Sequence, residues 1–196
     1  MHKKHKITVF LIEDDPSQLT SIESLLEFKG FVFQSFNNAK DFLTLSDVSR
    51  PAVLISDMRL PDLNGVELYK ALTDRGEDIP IIFISGESSI QESVDAMKHG
   101  AIEFLVKPFD INDLICAIEK ASRIELKRVN LKILLKSLSP REKQVFDLLI
   151  QGLNNSELME KINISLPTVK QYKSEVMRKL GAKSLSELMN LSNQTV

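Results

Sequence analysis

Acids, a hydroxyl and a lysine stand at the ends of short apolar runs, and together they could carry phosphoryl chemistry. Glu13, Asp14 and Asp15 follow the run Ile7 to Ile12, and Asp57 follows Ala52 to Ile55 after Ser56. Ser85 follows Pro80 to Ile84, and Lys107 follows Ile102 to Val106. Carboxylates gathered at one site repel one another unless a cation joins them. A hard divalent ion that keeps waters and meets only a few carboxylates is the Mg2+ pattern. Such an ion would offset repulsion between an Asp57 nucleophile and an incoming phosphoryl group. An aspartate nucleophile yields an acyl phosphate. Lys107 offers a compact positive charge to phosphoryl oxygens, and Ser85 a hydroxyl donor. Singly, each residue has an ordinary explanation: Asp15 before Pro16 reads first as a helix cap, and Glu13, Asp14 and Asp57 each read as loop acids. Their conjunction points to chemistry.

The elements around them must bring these residues together. The β-branched runs Ile7 to Ile12, Phe31 to Phe36, Ala52 to Ile55, Pro80 to Ile84 and Ile102 to Val106 alternate with stretches of helical period. Those stretches are Ser17 to Phe28, Ala39 to Leu45, Gly65 to Leu72, Ser89 to Lys98, and Ile111 onward. Strands alternating with helices predict an α/β domain on a five-stranded parallel, doubly wound sheet. In such a sheet, ligands bind beyond the carboxyl ends of the strands where the strand order reverses. Given a parallel sheet, Glu13, Asp14, Asp57, Ser85 and Lys107 converge on one edge.

Composition narrows the setting. The chain of 196 residues is 43% hydrophobic and 27% charged, as in ordinary globular proteins. Its apolar runs are too short to span a bilayer. The basic stretch His2, Lys3, Lys4, His5 and Lys6 precedes only a brief apolar run, which argues against a secretory signal. Cys116 is the single cysteine, so no intrachain disulfide forms and a cytoplasmic setting is expected. Residues 1–120 hold 12 Lys/Arg against 20 Asp/Glu, residues 121–136 hold 5 against 1, and residues 137–196 hold 8 against 6. An acidic front and a basic back suggest two modules, the second meeting a polyanion, although a solvated basic face has the same composition.

Residues 7–120 resemble the receiver domain of two-component response regulators. The resemblance rests on Glu13-Asp14, Asp57, the Leu60-Pro61-Asp62-Leu63-Asn64-Gly65 turn, Ser85-Gly86 and Phe104-Leu105-Val106-Lys107-Pro108-Phe109. It implies a flavodoxin-like sheet and an Asp57 that accepts phosphate from the phosphohistidine of a sensor histidine kinase. It also implies Mg2+ held by Asp14, Asp57 and the backbone carbonyl of Arg59, with Glu13 acting through water. By the same resemblance, Ser85 moves toward the phosphoryl group, Phe104 turns inward as a switch, and the Lys107–Pro108 bond is cis.

From Phe109 to Pro140 no further glycine or proline interrupts the chain, so the last receiver helix is expected to continue as a helical linker through Ile124, Leu131 and Leu135. Ser139-Pro140-Arg141-Glu142 then reads as a capping box that opens a helix ending near Gly152. A second helix spans Asn155 to about Asn163, a third Leu166 to Leu180, and a fourth opens on Ser184 to Glu187. In the third, Val169, Tyr172, Val176 and Leu180 recur at helical spacing and should face a small core. Lys170, Ser174 and Arg178 form the opposite stripe with Gln171 beside them. Lys170 and Gln171 are suited to base edges in a major groove, and Thr168, Tyr172 and Lys173 to phosphates. This region is similar to the LuxR-type helix-turn-helix output domain of NarL/FixJ-class regulators. Leu138 to Glu142, Gly152 to Glu157, Ile164-Ser165, Thr168 to Lys170 and Lys179 to Ser184 carry that similarity. Met159 and Tyr172 depart from the usual Ala and His.

The expected organisation is a phospho-receiver at residues 1–122, a helical linker at 123–137 and a DNA-binding helix-turn-helix domain at 138–196. The expected function is a transcription factor switched by phosphorylation. It would dimerise, release its output domain, or both, and bind paired half-sites on double-stranded DNA, with RNA polymerase as a further partner. Enzymic activity is limited in this reading to self-catalysed phosphoryl acceptance and slow self-dephosphorylation. A haloacid-dehalogenase-type phosphotransferase would carry a second acid two residues after the nucleophile, where this chain has Arg59. A third reading makes the C-terminal module protein-binding, and loss of DNA affinity with salt separates the two.

Overall fold

The computed structural model describes residues 7–45, 48–86 and 90–192. The chain divides into two units, Met1–Leu126 and Lys127–Val196. In the first, β1 (Thr8–Ile12), β2 (Val32–Phe36), β3 (Ala52–Asp57), β4 (Ile81–Ser85) and β5 (Glu103–Val106) form one sheet in the order β2-β1-β3-β4-β5. Every pairing is parallel. This is the expected doubly wound, flavodoxin-like order, and it reverses direction between β1 and β3.

Side chains alternate across the sheet. Phe10 and Ile12 enter one core with Ala39 and Phe42 of α2 (Ala39–Leu43), Leu68 and Leu72 of α3 (Gly65–Asp74), and Ala96 of α4 (Ile90–Lys98). Val9 and Leu11 enter the other, against Ile22 and Leu26 of α1 (Pro16–Phe28) and Leu114, Ala117, Ile118 and Ala121 of α5 (Ile111–Lys136). Helices on both faces explain strands whose residues are apolar on both sides.

Element ends differ from expectation in ways that bear on the site. Asp57 and Ser85 are the last residues of β3 and β4, not the first residues beyond them. The ladder continues through them, with Asp57 opposite Ile84 and Ser85 opposite Val106. Helix α2 stops at Leu43, short of Leu45, where Thr44 turns its hydroxyl back to the Asp41 carbonyl at 2.7 Å. Ser89, read as the start of the fourth helix, lies outside the described residues, as do residues 1–6 and 193–196.

The apolar stripe of α5 ends on a charge. Glu125, one turn beyond Ala121, is 0% exposed. Both of its oxygens meet the Arg50 guanidinium, and one also accepts the Ala52 N–H at 3.1 Å. Arg50 donates as well to the Asp78 carbonyl at 2.8 Å. The carboxylate thereby joins α5 to the start of β3 and the approach to β4.

The second unit holds α6 (Pro140–Ile150), α7 (Asn155–Ile162), α8 (Leu166–Leu180) and α9 (Leu185–Ser192). Ser139 and Glu142 form the expected capping box on α6, and Asn154 and Glu157 form another on α7. Asn163 ends α7 with φ 50°, in the left-handed region where Asn substitutes for Gly. Val145, Leu149, Leu158, Val169, Val176 and Leu188, all 0% exposed, make the core. Glu142 also receives Lys179 of α8 at 2.7 Å. That contact and the Ser139 N–H lower its carboxyl to about 2.

Candidate functional site

The three carboxylates converge because β1 and β3 are neighbours. The Glu13 N–H donates to the Phe36 carbonyl at 3.1 Å, which carries the β1–β2 ladder one residue further, and on the other side the pairing of Ile12 with Ser56 sets Glu13 beside the end of β3. Glu13, Asp14 and Asp57 each offer a carboxylate oxygen within 4.8 Å of the others. Glu13 is 1% and Asp57 7% exposed, while Asp14 faces solvent. Asp15 caps α1, accepting the Gln18 N–H at 2.8 Å, and plays the ordinary role expected of it.

Lys107 reaches into this cluster from the end of β5. Its Nζ donates to Glu13 Oε2 at 2.7 Å and to Asp57 Oδ2 at 2.5 Å. The Lys107 N–H donates to the Ser85 carbonyl at 2.7 Å, which holds its backbone beside the end of β4. The Lys107–Pro108 bond is cis, as the resemblance implies. Burial raises the Glu13 carboxyl, and the neighbouring Asp57 charge adds to the rise against the pull of Lys107. For Lys107 burial works to lower the ammonium, but the hydrogen bonds to Asp57 and Glu13 prevail and raise it. One cation among three acids leaves residual negative charge on hard oxygen donors, which fits a divalent ion.

The other expected residues surround this centre. Ser85 is fully buried at the end of β4. Asp57 Oδ1 accepts the Arg59 N–H at 2.7 Å, and the Arg59 guanidinium turns outward to Glu92 of α4 at 3.1 Å. No second acid occupies that position. Phe104 is half-buried against the core and lines a groove of about 650 Å3 between α4 and β5, beside Val94, Met97 and Val106.

On α8, Lys170, Gln171, Ser174 and Arg178 are exposed, while Thr168, Tyr172 and Lys173 are half-buried. Tyr172 packs against the unit's core, as its helical spacing predicts. Arg178 differs from the open cation of the sequence reading, because it pairs with Glu175 at 2.7 Å, three residues away on the same helix. Thr168 shares a 2.8 Å hydrogen bond with Ser165 at the helix start.

Asp62 and Glu125 were not among the expected site residues. Asp62 bonds the first two N–H groups of α2, and nothing local signals a partner 22 or 23 residues away. Glu125 did carry a signal: it continues the i, i+4 stripe of Leu114, Ala117, Ile118 and Ala121.

This fold and this acidic edge define a receiver joined to a helix-turn-helix reader. The family description "Response regulator receiver domain" matches residues 9–119, and "Bacterial regulatory proteins, luxR family" matches residues 136–192. The chain belongs to the response regulators, in the NarL/FixJ class. It is 38% identical over 196 aligned residues to Nodulation protein W of Bradyrhizobium diazoefficiens, covering 95% of this chain and 86% of the relative. It is 35% identical to Transcriptional regulatory protein FixJ of Rhizobium meliloti, covering 94% of each. Among solved structures, response regulator StyR matches with TM-score 0.60 and 37% identity, covering 96% of this chain and 99% of that one. Full-length FixJ from B. japonicum matches with TM-score 0.56 and 35% identity, covering 97% of each. The chain is thus a transcriptional regulator with a receiver and a LuxR-type DNA-binding domain. No helix among the described residues is long and apolar enough to cross a membrane.

Proposed function

We propose that Asp57 is the phosphoacceptor of a cytoplasmic two-component relay. The bridge from Lys107 to Glu13 and Asp57 carries this reading, because a lysine ammonium and three acids, Asp14 included, lie together at one sheet edge. An Asp57 oxygen attacks phosphorus, the phosphorus–nitrogen bond of the kinase's phosphohistidine breaks, and the electron pair returns to the imidazole. Lys107 exchanges its carboxylate contacts for phosphoryl oxygens, and Ser85 moves in to donate its hydroxyl. Asp14, Asp57 and the Arg59 carbonyl would hold Mg2+, with Glu13 acting through water. The ion would supply charge neutralisation for the incoming phosphoryl group. Slow self-dephosphorylation returns the switch without a separate enzyme.

Phe104 then turns inward and reshapes the α4–β5 surface. Phosphorylation biases the receiver (residues 1–122) toward a form that dimerises or frees the output domain (residues 138–196) beyond the linker at 123–137. Lys170 and Gln171 read base edges of paired half-sites, with Ser174 and Arg178 on the same groove-facing stripe, while Thr168, Tyr172 and Lys173 meet phosphates. RNA polymerase is the further partner of the bound dimer.

Incubation with acetyl phosphate and Mg2+ should add one phosphoryl group, measured by intact-protein mass. Asp57→Ala should abolish that adduct, and so should chelation of Mg2+. Stoichiometric labelling of the variant would move the acceptor elsewhere.

A further inference from the structure

The loop between β3 and α3 carries Arg59, whose carbonyl the proposed metal site needs. The base of this loop is well fixed. Met58 N–H donates to the Ile84 carbonyl at 2.8 Å, Gly65 N–H to the Met58 carbonyl at 2.9 Å, and Arg59 pairs with Asn64 across the neck. Its far side has fewer holds: Leu60 is buried, but Pro61 is exposed and Leu63 only half-buried.

Asp62 stands at that far side. Its Oδ2 accepts the Lys40 N–H at 2.8 Å and its Oδ1 the Ala39 N–H at 3.3 Å. These are the first two donors of α2, which the helix itself leaves open. Partial burial works to raise the carboxyl, yet the N–H groups of Lys40, Ala39, Asp62 itself and Leu63 outweigh it and hold it below its usual value. Helix α2 does not depend on Asp62 for its place. Asn38 already caps it through the Asp41 N–H at 2.8 Å, and Ala39 and Phe42 are 0% and 1% exposed in the core. The Phe42 ring lies 5.4 Å from those of both Phe10 and Phe36. The helix is therefore the fixed partner and the loop the one being fixed.

We propose that Asp62 is a positioning residue for the metal site: by tying the loop to α2, it holds the Arg59 carbonyl in line with Asp14 and Asp57. This rests on the metal reading above and adds a residue that never touches the ion. Groups hydrogen-bonded to a metal's ligands commonly account for tenfold or more in affinity; Asp62 bonds α2 and acts through the loop, so a smaller effect is expected.

Calorimetric titration of full-length protein with Mg2+ tests it, run beside the Mg2+ dependence of labelling by acetyl phosphate. Asp62→Ala should bind Mg2+ several-fold more weakly, short of the tenfold or more seen for groups that bond a ligand directly. Its labelling rate at saturating Mg2+ should stay close to the parent's, so the effect falls on half-saturation. Asp62→Asn keeps one acceptor oxygen and should recover part of the affinity; it carries the same test if the alanine variant does not fold. Unchanged Mg2+ affinity alongside a lowered melting temperature would overturn the proposal and leave Asp62 a helix cap. If the parent itself binds no Mg2+, the metal reading fails first and the proposal with it, a result distinct from parent and variant binding alike.

Discussion

In the first unit Glu13, Asp57 and Glu125 are exposed by only 1%, 7% and 0%, whereas in the second Lys170, Gln171, Ser174 and Arg178 stand open to solvent and the buried Glu142 serves a helix cap. The difference follows from what each unit must do. Buried charges are costly and stay only with partners, so under the function proposed above a phosphoryl dianion arriving beside Lys107 would have to rearrange the existing contacts. Exposed cations exchange counterions freely and read a polyanion without disturbing the core. The first unit pairs its buried acids internally, whereas the second leaves Lys170 and Gln171 exposed and pairs Glu142 at a cap and Glu175 along α8.

Breaking the innermost pair gives the largest expected effect. Glu125→Ala leaves the Arg50 guanidinium without its carboxylate and should cost roughly 3–5 kcal/mol, seen as a lower urea midpoint with phosphorylation at Asp57 retained in the folded fraction. A loss under about 1 kcal/mol, typical of surface pairs, would erase the contrast between the units.

Packing beneath the site comes next. A Cβ on Gly65 would lie 2.5 Å from Met58 Sδ and 2.6 Å from the Phe83 ring, and Phe83 is 1% exposed. Gly65→Ala should destabilise by about 1–3 kcal/mol through overpacking. An unchanged urea midpoint would show that the core under the β3–α3 loop yields easily.

In the second unit, Lys170→Ala should weaken specific DNA binding by roughly 1–3 kcal/mol if it reads a base, with melting temperature unchanged. Arg178→Ala should weaken it less, because Glu175 already offsets that charge. Fluorescence anisotropy on a half-site duplex at several salt concentrations measures both. The reverse order would mean that Arg178 leaves Glu175 to take a phosphate.

The smallest effect is in acid. The Glu142 carboxyl sits at about 2, below its ordinary 4.5, so its contribution is complete above pH 4.5 and is lost as pH falls toward 2. Glu13 is shifted the other way: its charged form carries the penalty, and acid relieves it. Once the intrinsic pH dependence of exchange is divided out, amide protection at the start of α6 should therefore fall below pH 4.5 in the parent, and Glu142→Gln should flatten that change. A pH-independent parent would refute the cap's electrostatic origin.

Local patterns revealed most of the architecture. Strand and helix periods, the Asp15 and Ser139 caps, and the stripe of α8 all depend on neighbours a few residues apart, so they are legible along the chain. The acidic edge was legible once a parallel sheet was assumed, because each member ends an apolar run. What the sequence did not reveal spans distance: Arg50 with Glu125, Asp62 with the start of α2, and Arg59 with Glu92. A carboxylate's partner is set by topology, and the chain carries no local mark of it. The outward pairing of Arg178 is a different case. Its partner Glu175 lies only three residues away on the same helix, a spacing that brings opposite charges together and is legible along the chain.

The Glu125 clamp also bears on how this regulator can be taken apart. A receiver excised after residue 122 would discard the carboxylate and leave Arg50 facing the gap, although every strand and the acidic edge would be intact. An excision after Leu126 carries the clamp along. For anyone grafting this module onto a different output, the natural seam lies four residues further along α5 than the sheet alone suggests. The helical phase handed to the new partner would then be the one Glu125 holds.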